Sequence, residues 1–186
     1  MEKMKVGIIV GSARKCSFSQ KVADVIAANL PEQFDLRCLR IDNLALFNQD
    51  YDEENTVPEA WVSFRNEVRE MGAYLFVTPE YNRSVPPALK NAIDIASRPY
   101  GQNNWSAKPA AVVSVSPGGI GGFGANHHLR QTLTFLNLYT MQQPEAYLSN
   151  IMDQLDEDGN LTTERTVEYL KNFASSFAEW ITKFGK

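Results

Sequence analysis

Apolar residues along the chain fall into two kinds of segment that take turns. Residues 5–10, 73–78 and 110–116 are short, nearly continuous apolar runs, the first and third rich in β-branched side chains. Runs of that length without polar alternation predict strands buried on both faces. Between them, apolar positions recur at helical spacing. They are Val22, Val25, Ile26 and Leu30 after Phe18, then Trp61, Val62, Phe64, Val68 and Met71 after Pro58. Leu89, Ile93 and Ala96 follow Pro86 and Pro87, which suit a first helical turn. Leu129, Leu133 and Leu136 mark a helix over 123–138, and Val167, Leu170, Ala174, Phe177 and Ile181 mark one over 163–184. Residues 34–41 alternate, predicting a strand at the side of the sheet, and 141–148 reads as a further strand. The polar, acidic stretch 43–57 reads as a loop.

Alternation of strand and helix predicts an α/β fold, a parallel sheet with helices on both faces. Five strands with five helices suit the flavodoxin-like doubly wound order 2-1-3-4-5 better than the six-stranded dinucleotide-binding arrangement. The length, 186 residues, is that of one domain, taken as 1–186.

Composition narrows the function. A net charge of −4 disfavours a general nucleic-acid or membrane-surface binder but leaves room for a small anion held by one arginine and backbone N–H groups. No apolar run approaches the roughly 18 residues of a membrane helix, and no signal peptide is visible. The two cysteines, Cys16 and Cys38, make no disulfide framework. With His127 and His128 they lack metal spacing, so no metal is expected. The expected compartment is reducing and cytoplasmic.

In an open parallel sheet, ligands sit at the carboxyl ends of the strands, beside the reversal in strand order. Three loops leave the three clear strands there. The first, residues 11–19, brings Ser12, Arg14, Ser17, Phe18 and Ser19 to the start of a helix. Hydroxyls, a guanidinium and helix-start N–H groups suit a phosphate. Helix capping would explain one serine, not three with an arginine. The loop lacks Walker A spacing, so triphosphate hydrolysis is disfavoured. The second loop, residues 78–87, has Tyr81 as a flat face, with Asn82 and Ser84 as rim hydrogen-bonding groups between Pro79 and Pro86. Such a set suits a planar heteroaromatic ring, although a proline-rich turn alone would look similar. The third, residues 116–124, carries five glycines. It fits either a thin backbone wall for a flat ligand or a G-x-G-x-x-G dinucleotide loop through Gly119, Gly121 and Gly124.

With these loops in view, the chain resembles the NAD(P)H-dependent FMN reductase family, which includes quinone, azo-dye and chromate reductases. Residues 11–19 resemble its G-S-x-R-x-x-S loop. Residues 79–86, continuing through Leu89-Lys90-Asn91-Ala92-Ile93-Asp94, resemble its P-E-Y-N-x-S-x-P…L-K-N-A-x-D signature. Residues 116–122 with Leu129-Arg130-Gln131 resemble its third segment. The resemblance implies a flavodoxin-like fold, non-covalent FMN, NAD(P)H as reductant, and homodimers or homotetramers. It implies that Ser12, Arg14, Ser17 and Ser19, beside Phe18, hold the FMN phosphate. Pro79, Glu80, Tyr81 and Asn82, with Ser84, would line the isoalloxazine and ribityl chain, and Ser116, Gly118 and Gly119 its other edge. Cys16 stands where many relatives have Gly, Ser19 where many have Asn, and Pro87 where Gly is common.

The implied activity is hydride transfer from NAD(P)H through bound FMN to a quinone, azo compound, metal oxyanion or free flavin. The cofactor carries the chemistry, so no catalytic side chain is assigned. The alternatives are a flavodoxin-type electron carrier without its own NAD(P)H reaction, and an NAD enzyme built on the third loop. His127 and His128 read as surface or interface groups, and Cys16 as a small filler. Apolar residues around Ile93, Leu133 and Leu136 look surplus to one sheet and point to a dimer.

Overall fold

A computed structural model describes residues 3–185. The strands are β1 (Met4–Val10), β2 (Phe34–Cys38), β3 (Ala73–Pro79), β4 (Pro109–Val115), β5 (Tyr139–Thr140) and β6 (Ala146–Leu148). The helices are α1 (Phe18–Ala28), α2 (Asp50–Glu53), α3 (Glu59–Glu70), α4 (Pro87–Ala96), α5 (Phe123–Phe135) and α6 (Glu164–Phe184). Neighbouring strands pair in parallel in the order β2-β1-β3-β4-β5, with β6 also on β4, so the doubly wound order read from the sequence is the order observed. The direction of winding reverses between β1 and β3, and a crevice opens at their carboxyl ends.

The central strands are apolar on both faces because both are covered. Val6, Ile8 and Val10 of β1 join Leu75 and Val77 of β3 under α1 and α6. Ile9, Tyr74 and Phe76 point the other way, under α3, α4 and α5. The period of two thus survives inside runs that look continuous. No helix among the described residues is long and apolar enough to cross a membrane.

Four readings need correction. The strand over 141–148 is two short pieces. Thr140 pairs with Ala110 and Ala146 with Val113, so the edge strand takes six steps where β4 takes three. Pro144, which has no N–H to donate, lies in the excursion. Arg130 holds the excursion's start by donating to the Met141 carbonyl at 2.8 Å, while its Nε donates to Asn126 at 2.8 Å. The loop 43–57 contains α2. Val62, placed on the buried face of its helix, is 46% exposed. Ile93, Leu133 and Leu136 are buried within this chain's own core, so they leave nothing over for a partner; the exposed large apolar residues of α5 are Phe123 and, more fully, Phe135.

The β2–α3 connection is fastened rather than loose. Asn91 on α4 accepts from the Phe47 N–H at 2.7 Å and donates to the Ala45 carbonyl at 3.1 Å, which Trp61 Nε1 also reaches at 3.0 Å. Arg65 grips Asp52 through two bonds of 2.6 and 2.7 Å and donates to the Ile95 carbonyl at 2.9 Å. That explains Asn91 within the L-K-N-A-x-D stretch as an anchor for the 44–47 segment. Asn91→Ala is expected to lower unfolding stability by about 2 kcal/mol, since the Phe47 N–H loses its acceptor and the Leu44 and Ala45 carbonyls each lose a donor, and chemical denaturation measures it.

Candidate functional site

The carboxyl end of β1 is tied to β3 by the Gly11 N–H, which donates to the Val77 carbonyl at 2.8 Å. A Cβ on Gly11 would lie 3.1 Å from Leu89 and 3.2 Å from Thr78, so α4 and β3 close tightly on this turn. The chain then turns through Cys16, whose φ of +56° is left-handed. Glycine adopts that conformation freely, whereas a residue with a side chain such as Cys16 adopts it at some cost. Ser17 caps α1, its hydroxyl accepting from Gln20 N at 3.4 Å.

Capping leaves much of this turn unsatisfied. The N–H groups of Cys16, Ser17, Phe18 and Ser19 have no acceptor among the described residues. Ser19 is buried and its Oγ has no partner there either. The first turn of α1 carries no acidic residue. Arg14 is exposed, its guanidinium 5.6 Å from the centre of the Phe18 ring, and the turn opens on a cavity of about 340 Å³ that runs along Ser12, Arg14 and the end of β2. Free donors at the positive end of a helix, beside an unpaired guanidinium and a buried hydroxyl lacking a partner, match a phosphate.

The second loop is a two-residue hairpin turn. Tyr81 and Ser84 exchange backbone bonds of 3.1 and 3.0 Å, and both central residues are left-handed, Asn82 at φ +51° and Arg83 at φ +65°. That is the pattern of a type I′ turn. It lifts Tyr81 half into solvent and leaves the Asn82 and Arg83 N–H groups without acceptors among the described residues. Ser84 Oγ and His128 Nδ1 share a hydrogen bond of 2.8 Å. Glu80 turns away from the open face: Oε2 accepts from Ala125 N at 2.9 Å and Oε1 from Arg83 at 3.1 Å.

The third loop is pinned at its base. Ser116 Oγ accepts from Gly118 N at 3.0 Å, and the Ser116 and Gly118 carbonyls accept from Ile151 and Asn150. The glycines divide by role. A Cβ on Gly119 would meet nothing within 4 Å, and one on Gly118 would meet only Ser116 Oγ, so this stretch of backbone faces open space. Gly121 must be Gly, because φ is +61° and a Cβ would lie 2.6 Å from the Tyr147 backbone. Glu80 occupies the start of α5 with a carboxylate, which repels a pyrophosphate; the dinucleotide reading of Gly119, Gly121 and Gly124 therefore fails on charge.

The turn 12–19, the hairpin Glu80–Asn82 with Ser84, and Ser116, Gly118 and Gly119 thus stand at one edge of the sheet, at the ends of β1, β3 and β4. The sequence does not reveal the fastenings behind them. His127, taken as a surface group, shares a bond of 2.9 Å with the Tyr147 hydroxyl. Burial, followed by the neighbouring Glu145, pushes that phenol up to about 12, so it stays protonated at neutral pH.

The profile of NADPH-dependent FMN reductases matches residues 4–153. A quinone reductase of Pseudomonas putida is 51% identical over 176 residues, covering 95% of this chain and 94% of that protein. A 2-hydroxy-1,4-benzoquinone reductase of Burkholderia sp is 39% identical, covering 96% of each. The solved structure of FerB, a flavoenzyme NAD(P)H:(acceptor) oxidoreductase from Paracoccus denitrificans, superposes with a TM-score of 0.89 at 38% identity, covering 98% of this chain and 100% of that one. The chain belongs to the NADPH-dependent FMN reductase family and is an oxidoreductase that works with FMN and NAD(P)H.

Proposed function

We propose that the chain is a quinone reductase drawing on NAD(P)H, with azo compounds, metal oxyanions and free flavin as further acceptors. The observation that carries the reading is the unsatisfied donor set at the start of α1, buried Ser19 Oγ included. FMN, when bound, supplies the two-electron chemistry. The phosphate is held by the N–H groups of residues 16–19, by Ser12, Ser17 and Ser19, and by Arg14, with Phe18 packed beneath the guanidinium. Pro79, Tyr81, Asn82 and Ser84 line one side of the ring site, and Ser116, Gly118 and Gly119 the other. The free N–H groups of the hairpin are placed to stabilise negative charge at the ring's rim. Glu80 contributes through its backbone, its carboxylate being engaged elsewhere.

The rim itself is open, with Gly118 and Gly119 exposed and Tyr81 half out. An open rim suits nicotinamide and acceptor taking turns on one face and admits flat acceptors of several shapes. The reading includes self-association. A cavity of about 350 Å³ between α4 and α5 is bordered by Lys90, Asp94, His128 and Phe135, and Phe135 is 84% exposed.

Anaerobic addition of NADPH to the FMN-loaded protein should bleach the flavin absorbance, and benzoquinone should restore it; no bleaching points instead to an electron carrier. Arg14→Ala should weaken FMN binding by about 2 kcal/mol, roughly thirtyfold, read by equilibrium dialysis. Light scattering should give a multiple of the 20.9 kDa chain mass, and Phe135→Asp should shift it towards the monomer.

A further inference from the structure

We propose that Glu80 is the positioning residue of the FMN site, latching the 80–84 hairpin to the start of α5 so that one carboxylate sets the spacing of two of its walls. The inference rests on the FMN reading above.

Helix α5 lacks the usual means of ending itself. Its N-cap is Gly122, with no side-chain hydrogen bond, and no acidic residue lies in its first turn. Glu80, 45 residues earlier, does that work: Oε2 accepts from Ala125 N at 2.9 Å. Oε1 meanwhile accepts from Arg83 across the left-handed turn of the hairpin. The side chain is only 9% exposed, so its charge is shielded from solvent and strongly felt by both partners. One helical turn on, His128 takes the Ser84 hydroxyl at 2.8 Å, a second link between the same two elements. The approach is close enough to require glycine, since a Cβ on Gly124 would lie 2.9 Å from both Glu80 Oε2 and the Arg83 carbonyl.

The latch has an electrostatic consequence. The carboxylate satisfies the positive end of α5, whereas that of α1 stays open. Between these two helix starts, it is that of α1 that is left open to a phosphate. The same device therefore fixes the spacing of the walls and the direction in which an anionic tail is drawn.

Glu80→Ala, Glu80→Gln and Gly124→Ala test this with two measurements, amide hydrogen exchange in the FMN-free protein and FMN affinity by fluorescence quenching. In Glu80→Ala, exchange at Ala125 should rise at least about tenfold and the FMN Kd should rise about tenfold. Glu80→Gln keeps an oxygen for Ala125 N but loses the charge and the pairing with Arg83, so it should fall between the parent and Glu80→Ala on both measurements. Gly124→Ala keeps the carboxylate but its Cβ must push the Arg83 carbonyl aside, so some stability is lost and FMN affinity should fall about tenfold even well below the lowered melting temperature, where the protein is fully folded, a loss that a merely stabilising role cannot produce. Parental FMN affinity in both alanine variants, or a glutamine variant as weak as Glu80→Ala, would overturn the proposal. A parent protein that fails to bind FMN would overturn the cofactor reading, and the inference with it, whereas unchanged exchange at Ala125 in Glu80→Ala would overturn the latch alone.

Discussion

Among the helices that begin at the carboxyl ends of the strands beside the crevice, α1, α4 and α5, the first and the last are treated oppositely. Helix α5 has a carboxylate at its start. Among the described residues, the turn into α1 has four backbone donors without acceptors and a buried hydroxyl in the same condition. Every helix start leaves N–H groups open, but buried polar groups are normally satisfied, so the open donors of α1 beside the buried, unpartnered Ser19 Oγ mark where an anion belongs. The rest of the site follows from that asymmetry. A phosphate fixed at α1 leaves a flat ring to reach along the edge, towards the Tyr81 hairpin and the bare backbone of Gly118 and Gly119.

A site built on loops works only if the loops hold still. Here they are held by polar links to the elements beside them. The β2–α3 connection is fastened by Asn91 and by the Arg65–Asp52 pair, in which both side chains are about nine-tenths buried. Breaking such a pair from one side costs more than the pair itself contributes, because the remaining charge is stranded. The edge excursion between β5 and β6 is held by Arg130 and Asn126. The third loop rests on the segment that follows β6, through Asn150 and Ile151.

Much of this fold is legible in the sequence because periodicity reports burial directly. Val6, Ile8 and Ile9 announce a doubly covered strand, and Leu170, Phe177 and Ile181 a helix face. What fails is what depends on distant partners. Nothing near Tyr139 says that the edge strand will leave the ladder and return, since its pairing is set by β4. Ile93, Leu133 and Leu136 look surplus only until Trp105 and Phe76 are seen packed in the same core. In the site, residue type points to a phosphate at Ser12, Arg14, Ser17 and Ser19, and the open donors around Ser19 agree. Glu80 and Ser84 have other engagements, with Ala125 and His128, at separations of about 45 residues that no local pattern encodes.

The comparison of FMN with riboflavin tests the central claim most directly, because the two differ only in the phosphate. Titrating the cofactor-free protein with each should show FMN binding at least about a hundredfold more tightly, the effect of two or more charge-assisted hydrogen bonds. Equal affinities would mean that the open donors at the start of α1 hold no phosphate.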